Sequence, residues 1–130
     1  MSLPYHPKQG TIVICDFKGF LPPEMVKRRP AVIVSPRLRK REGLCTIVPL
    51  STTPPKVIEA YHYKLYIDPV LPEPYDAELA DMVYTVSLDR LFLPFFGKDQ
   101  GKRSYDVRVI SKDELVNIRQ CILAGLGIIP

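Results

Sequence analysis

Short apolar runs recur along the chain, set apart by proline, glycine and charged residues. Residues 11–17 (Thr-Ile-Val-Ile-Cys-Asp-Phe) follow Gly10 and predict a first strand, and residues 31–35 predict a second that stops at Pro36. Between them, residues 18–29 carry Gly19, Pro22 and Pro23, which neither a helix interior nor a central strand accepts, so a surface loop is expected. Proline is tolerated at a strand's start, which places the Arg29–Pro30 junction at the entrance of the second strand. Residues 44–50, apolar apart from Thr46, predict a strand buried on both faces. In residues 60–67, Tyr61, Tyr63, Leu65 and Ile67 alternate with His62, Lys64 and Tyr66, the period of a half-exposed strand. Residues 68–78 hold Pro69, Pro72 and Pro74 among acids and predict a long exposed loop. Further strands are expected at 79–86, at 91–96 with an edge or bend at Pro94, and at 105–109, with 97–104 read as a turn.

The pattern changes period near the C-terminus. Ser111 is followed three residues later by Glu114, a capping-box spacing, and Leu115, Ile118, Ile122, Leu123 and Leu126 then recur at helical intervals before Gly127. The order is strands first and one helix last, a mainly β (α+β) chain. Without internal repeat or linker, residues 1–130 are expected to form a single domain.

At 130 residues, with 46% apolar and 25% charged positions, the composition is that of a soluble globular domain with one core. No apolar run approaches the ~20 residues of a membrane span, and residues 1–10 lack a signal-peptide core, so the cytoplasm is the expected location. Cys15, Cys45 and Cys121 are odd in number, widely spaced and set among apolar residues; they read as buried free thiols, not as a disulfide frame or zinc site.

Charge sharpens this outline in one place. The net charge is only +4, yet residues 27–41 gather Lys27, Arg28, Arg29, Arg37, Arg39, Lys40 and Arg41 with no acidic residue among them. Such a cluster is an electrostatic footprint for a polyanion, and arginine in particular suits two-pronged contact with phosphate. Asp16 is read as structural, closing the first strand through hydrogen bonds to the loop backbone. The two histidines offer little for catalysis: His6 falls in an N-terminal segment expected to be mobile, and His62 lies on a strand face among tyrosines. There is no glycine-rich phosphate loop, no His-x-x-x-His, no Gly-x-Ser-x-Gly and no carboxylate cluster suited to a metal, so no metal or cofactor is expected. Metal-free RNA cleavage needs less: a ribose 2′-hydroxyl attacks its own phosphate once groups withdraw its proton, protonate the leaving oxygen and hold the phosphorane's charge.

The order Gly10-Thr-Ile-Val-Ile-Cys-Asp16-Phe17, Glu24 five residues before Arg29-Pro30, Ala-Val-Ile-Val-Ser-Pro36, Ile47-Val-Pro-Leu-Ser51-Thr52, Leu79-Ala-Asp81-Met-Val-Tyr-Thr-Val86 and Leu88-Asp-Arg-Leu91 resembles the MazF/PemK toxins of type II toxin–antitoxin systems over residues 8 to 126. The resemblance implies a small SH3-like β-barrel with a C-terminal helix, a homodimer, and metal-independent, sequence-selective cleavage of single-stranded RNA held in check by a cognate antitoxin. It places the family's arginine on Arg29, for phosphate binding and transition-state stabilisation, and its hydroxyl on Ser51, or on Thr52 beside it. Either Glu24 in the loop or Asp81 is the implied base. Lys27, Arg28, Thr52, Tyr84 and Arg37 are candidates for RNA contact.

The chain departs from the family pattern at Lys27, where glycine is usual, at the apolar loop residues Phe20 and Leu21, and at Tyr84, where a basic residue is usual. Tyr84 is read as a base-stacking side chain or as a core or dimer residue. The apolar helix stripe and residues 91–96 are the candidate dimer contacts. The competing reading is a non-catalytic barrel that binds a protein such as DNA gyrase, or binds nucleic acid without cutting it.

Overall fold

β1 (Ile12–Cys15), β2 (Arg29–Ile33) and β3 (Leu44–Ser51) form the antiparallel centre of the protein, seen in a computed structural model. The structure describes residues 3–37, 42–51, 57–65, 79–80, 83–99, 102–105 and 107–130. The remaining strands are β4 (Tyr63–Lys64), β5 (Leu79–Ala80), β6 (Tyr84–Ser87), β7 (Leu91–Phe92), β8 (Phe95–Asp99) and β9 (Lys102–Tyr105), and α1 (Lys112–Gly125) closes the chain. β7 pairs with β1 on one side, while β3, the longest strand, carries β6 along its first half and β5 at its end, with β4 beyond β5. β8 and β9 form a separate hairpin. The mainly β architecture with a C-terminal helix is thus as the sequence predicts.

The apolar runs of β1 to β3 are continuous because both faces of the sheet are covered. Alternation sends Val13, Cys15, Ala31, Ile33, Cys45 and Ile47 into one core, which Phe17, Val86 and Leu91 complete. Ile12, Val32, Val48 and Leu50 face the other way, onto Leu65, Ala80 and Ile118 of α1. Each fully buried Ile, Val or Leu in these cores contributes roughly 1.5–3 kcal/mol. α1 starts as its cap predicts: the Glu114 N–H donates to Ser111 Oγ at 3.2 Å. Of its apolar stripe, Ile118 is buried and Ile122 packs against the second core, whereas Leu126 is 65% exposed. No helix among the described residues is long and apolar enough to cross a membrane.

Several expected elements differ in extent. β2 begins two residues early, taking Arg29 and Pro30 into the sheet. The strand expected over 60–67 shrinks to Tyr63–Lys64, preceded by a turn at Ala60 and Tyr61; residues 66–67 lie outside the described residues, as does the loop at 68–78. The strand expected over 79–86 is broken into β5 and β6, which pair with different parts of β3. Most of residues 97–104, read as a turn, belong to the β8–β9 hairpin, and the strand expected at 91–96 is divided between β7 and β8. Of the strand expected at 105–109, Tyr105 ends β9 and Val109 forms an isolated bridge to Thr11.

The N-terminal segment is tied down where mobility was expected. Leu3 is buried and its N–H donates to Leu91 O at 3.0 Å; Gln9 Nε2 donates to Val34 O; His6 Nδ1 lies 2.7 Å from Pro7 O and its Nε2 3.1 Å from Ser35 Oγ. Gly10 permits this strap to enter the sheet. At φ +87 it brings its backbone so close to Val109 and Ile110 that an added Cβ would stand 3.3 Å from a side-chain carbon of each.

All three cysteines are free. Burial pushes the Cys15 thiol up to about 12, opposed by the nearby charge of Arg90, and burial also raises Cys45 and Cys121. The folded chain therefore keeps these protons in a range where the unfolded chain, with ordinary thiols near 9.0, releases them. The stability this contributes is fully present below pH 9 and is lost as pH rises towards 12, Cys15 alone giving a slope of about 1.4 kcal/mol per pH unit. Urea midpoints measured between pH 8 and 11 are expected to fall, and to fall less steeply in Cys15→Ala; parallel curves for the two proteins would refute the account.

Candidate active site

The site is assembled at one end of the central strands. Arg29 opens β2 and is paired on one side with Cys15 of β1. On the other side the β2–β3 register runs Ile33 to Ile47, Val32 to Val48 and Ala31 to Pro49. Continued two positions, that register sets Arg29 opposite Ser51, the last residue of β3. Both share the strand parity of Ala31, Ile33 and Ile47, the face of the first core, and both are half-buried.

Arg29 carries the most informative atom of the site. Its Nε is buried and has no hydrogen-bond partner. A buried donor left unsatisfied costs about 1–3 kcal/mol, so such an atom in a native structure calls for a reason. A guanidinium at the entrance of a strand with one nitrogen lacking an acceptor has a donor with which an oxyanion could pair.

The neighbouring cations are placed differently. Arg28 Nε stands 3.5 Å from Asp16 Oδ2, and its guanidinium lies 5.1 Å from the centre of the Phe92 ring. With half of its side chain exposed, Arg28 is partly committed to holding the loop, and this exposed pair adds little energy. Asp16 also accepts from the Lys18 N–H at 3.0 Å, the backbone contact expected of it. Lys27 and Arg37 are exposed. Arg39, Lys40 and Arg41, the rest of the basic cluster, lie outside the described residues, as do Thr52 and Asp81.

Glu24 is exposed on the loop, and its carboxylate is engaged locally. Oε1 accepts from the Leu21 N–H at 2.9 Å while the Glu24 N–H donates to Leu21 O at 2.8 Å, closing a tight turn. Tyr84 starts β6 on the same core face, with its ring 5.3 Å from that of Phe17 and 5.7 Å from that of Phe20. His62 accepts from the Glu59 N–H through Nδ1 at 2.9 Å, and its ring lies tilted against that of Tyr61 with centroids 4.4 Å apart, contacts that hold its turn. Among the described residues, no three His, Cys, Asp or Glu side chains gather closely enough to hold a metal ion.

Sequence reasoning missed Arg90. Its Nη1 donates to Asp16 O at 3.0 Å and Lys18 O at 2.6 Å, and its guanidinium sits 4.8 Å over the Phe20 ring. These contacts span seventy positions or more, so no local pattern announces them; only the apolar Phe20 in a loop hinted that something covers it.

Curated protein sequences give no match to the chain. Among solved structures it is similar to MazF from Deinococcus radiodurans, at TM-score 0.68 and 19% identity over 95% of this chain and 98% of that one. It is also similar to an endoribonuclease in complex with its cognate antitoxin from Mycobacterial species, at TM-score 0.62 and 17% identity over 95% and 98%. A third is MazE–MazF from Deinococcus radiodurans, at TM-score 0.59 and 18% identity over 96% and 99%. At such identities these likenesses speak for the fold. The family model described as PemK-like, MazF-like toxin of type II toxin-antitoxin system matches residues 8–124, nearly the whole chain. The chain belongs to that family of PemK-like and MazF-like toxins.

Proposed function

We propose that the protein is an endoribonuclease toxin that cleaves single-stranded RNA without a metal ion, with preference for sequence, and is neutralised by a cognate antitoxin. The buried, unpartnered Nε of Arg29, set across the strand register from Ser51, carries this reading. In the reaction the 2′-oxygen bonds to the adjacent phosphorus, its proton passes to a carboxylate, and the P–O5′ bond breaks with a proton supplied to the departing 5′-oxygen. The products are a 2′,3′-cyclic phosphate and a 5′-hydroxyl. Arg29 holds the non-bridging oxygens and the charge that builds on them; its high pKa bars it from acting as base. Ser51 orients the scissile phosphate or relays a proton, with Thr52 as the alternative hydroxyl. Glu24 or Asp81 takes the 2′-proton. Lys27, Arg28 and Arg37 draw in the RNA backbone.

Family membership and the endoribonuclease–antitoxin complex among the similar structures support the antitoxin as partner. A homodimer is part of the same proposal. Purified protein incubated with mixed-sequence RNA in EDTA is expected to release fragments ending in cyclic phosphate. Intact RNA across many sequences, with RNA or gyrase bound but uncut, would replace this reading by a binding module.

A further inference from the structure

The loop over residues 18–28 is fastened to the sheet from the far side of the chain. The Met25 N–H donates to Tyr84 Oη at 3.2 Å, a contact between residues 59 positions apart. That nitrogen belongs to the planar peptide joining Glu24 to Met25, so the bond fixes the backbone of Glu24 itself. Tyr84 is a firm anchor. It pairs with Ile47 at the end of the β3–β6 ladder, and its ring is wedged against Phe17 and Phe20, which also meet each other at 5.4 Å. Arg90 secures the start of the same loop through Asp16 O, Lys18 O and the Phe20 ring.

We propose that Tyr84 is a positioning residue, whose hydroxyl on the Met25 amide holds the loop in the form that presents Glu24 and the approach to Arg29 to RNA. Its catalytic consequence rests on the ribonuclease reading above; the fastening itself does not. A tyrosine ring packed on two phenylalanines contributes its hydroxyl to the loop, not its face to a base.

Tyr84→Phe keeps the ring and removes only the hydroxyl that accepts the Met25 bond. With a short RNA substrate, kcat is expected to fall about five- to tenfold with KM within about twofold, as for a conformation populated less often. Hydrogen exchange at the Met25 amide is expected to quicken by about tenfold, with the thermal midpoint little changed. The pH–rate profile keeps its shape and the loss is equal for all cleaved sequences. Arg90→Lys, which shortens the second fastening, is expected to quicken exchange from Lys18 to Phe20 and to lower kcat in the same sense. Unchanged exchange at Met25 in Tyr84→Phe overturns the proposal. So does a lost limb of the pH profile, which would make Tyr84 a proton-transfer group, or a loss that varies with the base at the cleaved bond. If the unaltered protein leaves RNA intact, the ribonuclease reading fails, and the Met25 exchange rates still decide whether Tyr84 fastens the loop.

Discussion

Arg29→Ala is expected to lower RNA cleavage by ~10²-fold or more, close to 3 kcal/mol of transition-state stabilisation, with the fold left in place. The expectation follows from where the charge sits. Negative charge grows on the phosphate oxygens as the 2′-oxygen attacks, and a guanidinium already fixed in the sheet meets it with little reorganisation. The orphaned Nε means that the folded protein bears the cost of desolvating this group in advance, and an anion offsets that cost only when bound. Arg29→Lys separates charge from shape: it keeps the cation and loses the planar fork, so it is expected to recover only part of the activity. Single-turnover cleavage of one RNA by the three proteins provides the measurement. An undiminished rate in Arg29→Ala removes Arg29 from the site, and full recovery by lysine removes the need for two-pronged contact.

Phe17→Ala is expected to be the most destabilising simple truncation, at about 3–5 kcal/mol. Phe17 is fully buried, belongs to the first core and forms the base of the three-ring group with Phe20 and Tyr84. Its removal takes away the transfer energy of a large ring, leaves a cavity beneath the loop and deletes two ring–ring contacts, each worth about 0.5–1.5 kcal/mol beyond burial. Urea denaturation gives the value directly. A loss under about 1 kcal/mol would mean that this face of the sheet does not carry the packing described.

Legibility followed the distance over which each signal acts. The helix was readable because its cap and its stripe are local, and Ser111 performs the expected bond to the Glu114 amide. β1 to β3 were readable because runs buried on both faces leave few polar interruptions. The β8–β9 hairpin was not: Gly97, Lys98, Asp99, Lys102 and Arg103 show no apolar alternation, and a two-stranded ribbon outside the main sheet needs none. The N-terminal strap was missed because single apolar anchors such as Leu3 and Pro7 have no period to detect. At the site, Arg29 and Ser51 were indicated by the family pattern, and the β2–β3 register would bring them opposite one another only if continued two positions past its last pair. The bonds of Tyr84 and Arg90 to the loop join residues too far apart for spacing to suggest them.

The prolines inside β2 and β3 act on the site from within the backbone. The Val34 N–H donates to Thr46 O, and in the alternation that follows, residue 30 is a position whose amide would donate to Leu50 O. Pro30 has no amide hydrogen to give, so the observed pairing stops at Ala31 and Pro49. Pro49 directs its own missing donor to the opposite edge, between the ladders that β6 and β5 make with β3, where no pairing is broken. An imino acid thus serves as the stop on a zipper: Pro30 ends the β2–β3 pairing through covalent structure alone, two positions short of where the register would bring Arg29 opposite Ser51.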